Sequence, residues 1–318
     1  MTNSRSWMSH DGGMAMRIGV LGQGAWGRTL SGLFEQQGHR VQRWSRTHRT
    51  DPASLLGGQD LIICAVAMAG VPSLARQLEP AWPDGLPLLS GTKGIDLEQQ
   101  LTASQVWQQN LPSMRSVVLS GPNLATELEQ GLPAASVLAS SHAALAAELQ
   151  RELSSDSFRL YTNSDPVGTE LAGALKNVMA VAAGICDGLD LGTNAKASLL
   201  TRGLAEMGRL LVAMGGAPAT LYGLAGLGDL LATANSSLSR NYRFGRLMAQ
   251  GVSAAEARET LQATVEGPMT AKAAMALARQ HDLSLPICEQ VVAFVEGLST
   301  ADQVLRILME RELGQEKR

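Results

Sequence analysis

Arg17-Ile18-Gly19-Val20-Leu21-Gly22-Gln23-Gly24-Ala25-Trp26-Gly27 decides how the first half of this 318-residue chain folds. Its first five residues form a short apolar run closed by glycine, which predicts a buried strand. A helical pattern then runs from about Arg28 to Gln37 and stops at Gly38. Between strand and helix stands G-x-G-x-x-G, in the context this fingerprint requires. Gly22 permits the tight turn, Gly24 lets the backbone approach a pyrophosphate, and Gly27 lets helix and strand pack closely. The helix N-terminus adds N–H groups that face an anion.

Moving outward, Arg40–Trp44 reads as the second strand. About twenty residues past the fingerprint, a site for NAD places an acid on the ribose hydroxyl. Here Trp44-Ser45-Arg46 stands there, and Arg40 to Arg49 holds four Arg, His48 and no acid. A basic group suits the 2′-phosphate of NADP, so Arg46 is the expected contact and NADPH the expected preference over NADH. Leu61–Val66, Leu86–Ser90, Ser116–Ser120, Ala134–Ala139 and Phe158–Thr162 read as further strands with helical patterns between most of them. That alternation predicts a mostly parallel, doubly wound, Rossmann-like α/β sheet over residues 16–163. Ligands of such sheets bind beyond the carboxyl ends of the strands. Gly91-Thr92-Lys93-Gly94 and Gly121-Pro122-Asn123 lie at two of those ends.

Past Asn163 the strand signals stop, and residues 164–318 read as an all-α domain with helices near 166–187, 195–213, 225–234, 240–250, 267–280, 286–297 and 300–313. In the first of them, Glu170 to Ile185 is apolar almost all round yet carries Lys176 and Asn177. A helix of that kind is expected to be buried, and a Lys is almost never fully buried unless paired. A stem lying on apolar surface with its head in water is the plain alternative. Burial instead makes Lys176 a proton-transfer candidate. Gly223 to Thr233 is too Gly-rich to be only a helix; Asp229 and Thr233 fall on one face, four residues apart. Ser239 is a natural N-cap, so Arg240 and Asn241 open a helix suited to a phosphate.

Composition sets limits. Net charge is −3 and apolar content 45%, which argues against a general binder of nucleic acid or membrane surfaces. Cys64, Cys186 and Cys288 are odd in number and widely spaced. They show no disulfide or zinc pattern, so small buried hydrophobes in a reducing cytoplasm are expected, and no metal. Residues 1–15 are polar, lack the apolar core of a signal peptide and read as a disordered lead, with Met14 or Met16 as alternative starts. No apolar run reaches the roughly 18 residues of a membrane span.

The residues so far describe a dinucleotide domain joined to a helical domain that reduces a carbonyl in a small phosphorylated substrate. With its order of motifs, Met16 to about Ile287 resembles the bacterial NAD(P)-dependent glycerol-3-phosphate dehydrogenases. The marks are GQGAWG (22–27), GTKG (91–94), SGPNLA (120–125), ELAGALKNV (170–178), GLAGLGDLLAT (223–233), SRNYRFG (239–245), VEG (265–267) and LPI (285–287). The resemblance implies reversible reduction of dihydroxyacetone phosphate to sn-glycerol 3-phosphate for phospholipid synthesis. It implies Lys176 as proton donor or acceptor at the C2 oxygen. Lys93, Gly121, Asn123, Asn177, Asp229 and Thr233 would surround the substrate, and Ser239, Arg240 and Asn241 its phosphate. Ala25, Trp26, Lys93, Ala125, Arg240 and Glu266 would join the glycines at the NADP or NAD cofactor. Two departures lie on the cofactor side: Thr47 to Asp60 replaces a longer segment that contains a helix, and Val66-Ala67-Met68 replaces Val-Pro-Ser. A reductase of the 3-hydroxyacid or ketopantoate type and a non-catalytic NADP sensor are the competing readings. A homodimer is compatible with the sequence, which leaves the oligomeric state open.

Overall fold

The structure, a computed structural model, describes residues 15–309. The expected lead therefore lies outside the described residues except for Ala15, as does the end of the expected last helix. Seven strands form one sheet: β1 Arg17–Leu21, β2 Arg40–Trp44, β3 Leu61–Cys64, β4 Leu88–Ser90, β5 Ser116–Ser120, β6 Ala134–Ala139 and β7 Phe158–Asn163. Their order is β2-β1-β3-β4-β5-β6-β7. All neighbours are parallel except β5 and β6, which run antiparallel. The β2 strand lies on one side of β1 and β3 on the other, so the direction of winding reverses at β1, and the glycine fingerprint follows β1 at that switch. Five helices flank the sheet: α1 Ala25–Gln36, α2 Val71–Leu78, α3 Ala103–Asn110, α4 Ala125–Glu129 and α5 Ala143–Leu153.

The central strands are apolar on both faces, as strands covered on both sides must be. Alternate residues of β3 serve opposite layers. Ile62 and Cys64 pack with Val71, Leu74 and Trp107 of α2 and α3, whereas Leu61 and Ile63 pack with Leu30, Phe34 and Leu149 of α1 and α5. The β4 strand starts at Leu88 rather than at Leu86, because Pro87 has no N–H and offers only its carbonyl, to Ile62.

The second half is helical: α6 Pro166–Gly188, α7 Gly192–Ala213, α8 Asp229–Ala234, α9 Arg240–Ala249, α10 Ala254–Leu261, α11 Gly267–Gln280, α12 Pro286–Val295 and α13 Ala301–Met309. Asp165 caps α6 by accepting the Gly168 N–H, with Pro166 at the first helical position. Every residue of α6 from Gly168 to Cys186 is buried. Its length and composition would suffice to cross a membrane, contrary to the sequence estimate, but 89% of its most apolar window is buried within the protein. The other helices pack around it. A methyl group at Gly184 would lie 2.0 Å from the Tyr242 carbonyl oxygen, and one at Gly245 2.0 Å from that of Val181, so glycine on each helix permits the close crossing of α6 and α9. Cys64, Cys186 and Cys288 are free thiols and buried.

Two helical expectations change. The α10 helix was not anticipated, although Ser253 and Glu256 form a capping box at its start. Leu224–Gly228 is a π-helical turn rather than the first turn of an α-helix, and α8 begins only at Asp229. A methyl group at Gly226 would lie 2.0 Å from the Leu221 carbonyl oxygen, which explains the glycine there.

Candidate active site

The α6 helix presents Glu170, Gly173 and Lys176 at helical spacing toward the ends of the sheet strands. Gly173 is the contact point: a methyl group there would lie 2.5 Å from Ser120 Oγ, at the end of β5. One turn on, Lys176 is 7% exposed, so it is a buried lysine rather than one laid along the surface. Its Nζ donates to Asp229 Oδ1 at 2.8 Å and to Thr233 Oγ1 at 2.6 Å. Thr233 Oγ1 in turn donates to Asp229 Oδ1 at 3.0 Å, as the four-residue spacing on α8 allows. From the sheet, Lys93 Nζ reaches Asp229 Oδ2 at 2.5 Å and the Gly121 carbonyl at 3.1 Å. One buried carboxylate thus joins a lysine from each half of the chain.

Burial disfavours the Lys176 ammonium, Asp229 favours it, and Lys93 and Arg240 oppose it; the balance brings its pKa down to about 8. Burial also works against the Asp229 carboxylate, but Lys176 and Lys93 outweigh that and hold it below the usual carboxylate range. Two ammonium groups on one carboxylate leave a surplus of positive charge, suited to an anionic ligand.

Asn123, after β5, is half-buried. Ser136 Oγ of β6 donates to its Oδ1, while its Nδ2 is buried with no protein partner. Asn177 is buried beside Lys176. Ser239 caps α9 by accepting the Tyr242 N–H, and Arg240 at its first position is exposed. Asn241 is buried and turned toward α11, where its Oδ1 accepts the Gly267 N–H at 2.9 Å. That bond places Glu266 near the strand ends, with Glu266 Oε2 3.6 Å from where a methyl group on Gly94 would stand. Burial raises the pKa of Glu266 against a backbone bond from Met68 and the charge of Arg240.

At the fingerprint each glycine has its own reason. Gly22 has φ +103° and a methyl group there would strike the Ala65 carbonyl at 2.7 Å. Nothing lies within 4 Å of a methyl group placed on Gly24, and one on Gly27 would lie 2.0 Å from the Gly22 carbonyl oxygen. Trp26 is half-buried and its Nε1 has no partner; Gly91 makes room for it, since a methyl group there would lie 2.7 Å from that nitrogen. Ala25 is exposed at the start of α1, and Ala125 opens α4. Open backbone at a helix N-terminus with an orphaned indole N–H fits a dinucleotide. Arg46 is exposed in a short 3-10 turn directly after β2. Among the basic residues nearby, Arg43 is taken up by an ion pair with Glu35 of α1, an acid outside the stretch from Arg40 to Arg49. Thr47 to Asp60 holds two 3-10 turns and no α-helix.

Sequence reasoning passed over Glu170, Ser104 and Ser136. An acid in an apolar helix is a signal that could have found Glu170; nothing in the pattern singles out the two serines.

Among known proteins, the family model described as NAD-dependent glycerol-3-phosphate dehydrogenase N-terminus matches residues 47–146, and its C-terminus counterpart matches residues 165–306. A glycerol-3-phosphate dehydrogenase (NAD(P)+) of Synechococcus sp. strain RCC307 is 55% identical over 300 residues, covering 94% of this chain and 99% of the relative. One from Synechocystis sp. is 47% identical over 301 residues, covering 94% and 95%. The crystal structure of glycerol-3-phosphate dehydrogenase from Coxiella burnetii superposes with a TM-score of 0.89 at 34% identity, covering 93% of this chain and 99% of that one. With the same two-part architecture and relatives matched end to end, the chain belongs to the NAD-dependent glycerol-3-phosphate dehydrogenase family.

Proposed function

We propose that the protein catalyses the reversible, NAD(P)H-dependent reduction of dihydroxyacetone phosphate to sn-glycerol 3-phosphate, supplying phospholipid synthesis in the cytoplasm. The observation that carries this reading is the buried group of Lys176, Asp229 and Lys93 beyond the strand ends. When bound, a nicotinamide cofactor would supply the hydride for reduction of the ketone at C2. Lys176 gives a proton to the C2 oxygen, and Asp229 with Thr233 holds its Nζ in place. A pKa of about 8 suits both directions near neutral pH: the ammonium donates in reduction and the free amine accepts in oxidation. Lys93, anchored on Gly121, adds positive charge beside the developing oxyanion. Asn123 Nδ2 and Asn177 orient the substrate, with Ser136 fixing the Asn123 amide. Ser239, Arg240 and Asn241 at the start of α9 take the phosphate.

Gly22, Gly24, Ala25, Trp26 and Gly27 hold the pyrophosphate region. Ala125, Glu266, Lys93 and Arg240 would line the nicotinamide side, and Arg46 would hold the 2′-phosphate of NADPH. Residues 16–163 form the cofactor domain and 164–318 the substrate domain. The deciding experiment is turnover of the purified protein with dihydroxyacetone phosphate and NADPH. Reduction of that ketone, with ketopantoate and 3-oxo acids inert, is the expected result. Turnover of an unphosphorylated keto acid alone overturns the reading.

A further inference from the structure

Glu170 is an acid in the buried, apolar helix α6 and is 3% exposed, yet it takes no part in the chemistry above. Its carboxylate crosses from α6 to α3: Oε1 accepts the Ser104 N–H at 2.9 Å and Oε2 accepts Ser104 Oγ–H at 2.5 Å. Ser104 is the second residue of α3, so the acceptor meets one of the orphan N–H groups and the positive end of the helix dipole. Burial raises the pKa of Glu170, and the bonds from Ser104 and Thr102 act against that rise. An apolar contact would have closed this junction without burying a carboxyl group, whose burial is costly unless it is hydrogen-bonded.

What the tie fixes is the segment leading to Lys93. Thr102, the N-cap of α3, pairs in an antiparallel bridge with Ile95, and the Asp96 N–H donates to the Leu101 carbonyl at 2.8 Å. Residues 95–102 are therefore a closed turn standing on the start of α3. Ile95 is buried in the core of the helical half, against the cluster that includes Leu171 and Leu175 of α6. Lys93 lies two residues before Ile95. The same helix thus carries Lys176 and, through Glu170, Ser104, Thr102 and Ile95, clamps the loop that delivers Lys93. At Gly173, between the two, a methyl group on α6 would lie 2.5 Å from Ser120 Oγ and 3.9 Å from Lys93 Cδ.

We propose that Glu170 is a positioning residue that sets the placement of Lys93 against Asp229 and Lys176, by fixing the start of α3 to α6. The inference rests on the reductase reading above for its kinetic consequences and on geometry alone for its structural one. Without the carboxylate the Ser104 N–H loses its acceptor and the 93–104 segment loses its hold on α6. Lys93 then leaves Asp229. The groups that face Lys176 are Asp229, Thr233, Lys93 and Arg240, of which Lys93 and Arg240 depress its pKa. Withdrawal of Lys93 therefore raises the pKa of Lys176.

The test compares wild type with Glu170→Ala, Glu170→Gln and Ser104→Ala, each first shown to be folded by circular dichroism at the assay temperature. In Glu170→Ala, kcat/KM for dihydroxyacetone phosphate falls roughly ten- to a hundredfold, as misplacement of a reacting group does. Its alkaline limb moves to higher pH. Glu170→Gln recovers most of the activity, because its carbonyl accepts the Ser104 N–H and its amide donates to Ser104 Oγ. Ser104→Ala, which keeps the N–H, falls between. A residue that merely stabilises the fold lowers Tm without moving the pH limb. An unmoved limb with wild-type kcat/KM in Glu170→Ala overturns the proposal. A crystal structure of Glu170→Ala decides independently of turnover: Lys93 Nζ still on Asp229 also overturns it. Absence of dihydroxyacetone phosphate turnover in wild type overturns the reductase reading instead, and the crystal structure then still decides the role of Glu170.

Discussion

Lys176 shows how one residue takes its chemistry from its neighbours. An exposed lysine titrates near 10.4; burial in α6 brings this one down to about 8, with Asp229 keeping it from falling further. Lys176→Met keeps an apolar stem and removes proton and charge together. The expected outcome is a fall of kcat and kcat/KM for dihydroxyacetone phosphate by a common factor of roughly 10²–10⁴. NADPH affinity, measured by fluorescence titration, should barely change. Wild-type kcat with only a raised KM would assign Lys176 to binding and make Lys93 the proton donor. Arg46 belongs to the same scale. A charge-assisted contact to a 2′-phosphate contributes about 1.5–3 kcal/mol. Arg46→Ala should therefore weaken NADPH by roughly ten- to a hundredfold while leaving NADH nearly unaffected. Equal losses in titrations with the two cofactors would remove Arg46 from that role.

Among the elements, α7 and α12 share a device that the active site does not need. Glu206 of α7 is 2% exposed and accepts the Ile287 N–H at 2.7 Å and the Cys288 N–H at 3.3 Å, at the start of α12. Burial raises its pKa to about 7, against 4.5 for a free carboxyl. Between those values the unfolded chain has released this proton and the folded chain still holds it. The unfolded state then binds fewer protons, and stability falls as pH rises. The contribution of Glu206 is complete below pH 4.5, is lost by about pH 7 and does not change above it. At 1.36 kcal/mol per unit, its size is on the order of 3 kcal/mol. Thermal unfolding of wild type and Glu206→Gln at several pH values checks this: wild type should lose stability relative to the variant from pH 5 to 7. A difference that does not vary with pH would contradict it.

At the scale of the whole molecule, the site exists because two halves meet. The sheet half brings Lys93, Asn123 and the glycine fingerprint to the strand ends; the helical half brings Lys176, Asp229 and the start of α9. Much of this could be read from the sequence. Local signals gave the βα turn at Gly22–Gly27, the alternation of strands and helices, the buried character of α6 and the cap at Ser239, because turns, periodicity and caps act over a few residues. Lys176 stood out because a charge in an apolar helix needs a partner. The partners themselves belong to tertiary structure. Asp229 lies 53 residues from Lys176 and 136 from Lys93, and only packing of α8 against both halves makes one carboxylate serve two lysines. The Ser104–Glu170 tie spans 66 residues and has no local pattern at all. Arg43 belongs to a basic segment, Arg40 to Arg49, that holds no acid of its own, and the packing of β2 beside α1 brings Glu35 to it. The sequence by itself determined which segments fold and which residues are chemically unusual, since those follow from short-range sterics and the cost of burying charge. Which unusual residues meet, and hence the pKa of Lys176 and the hold on Lys93, only the tertiary structure decided, because Coulomb and hydrogen-bond energies depend on distances in space that chain separation does not encode.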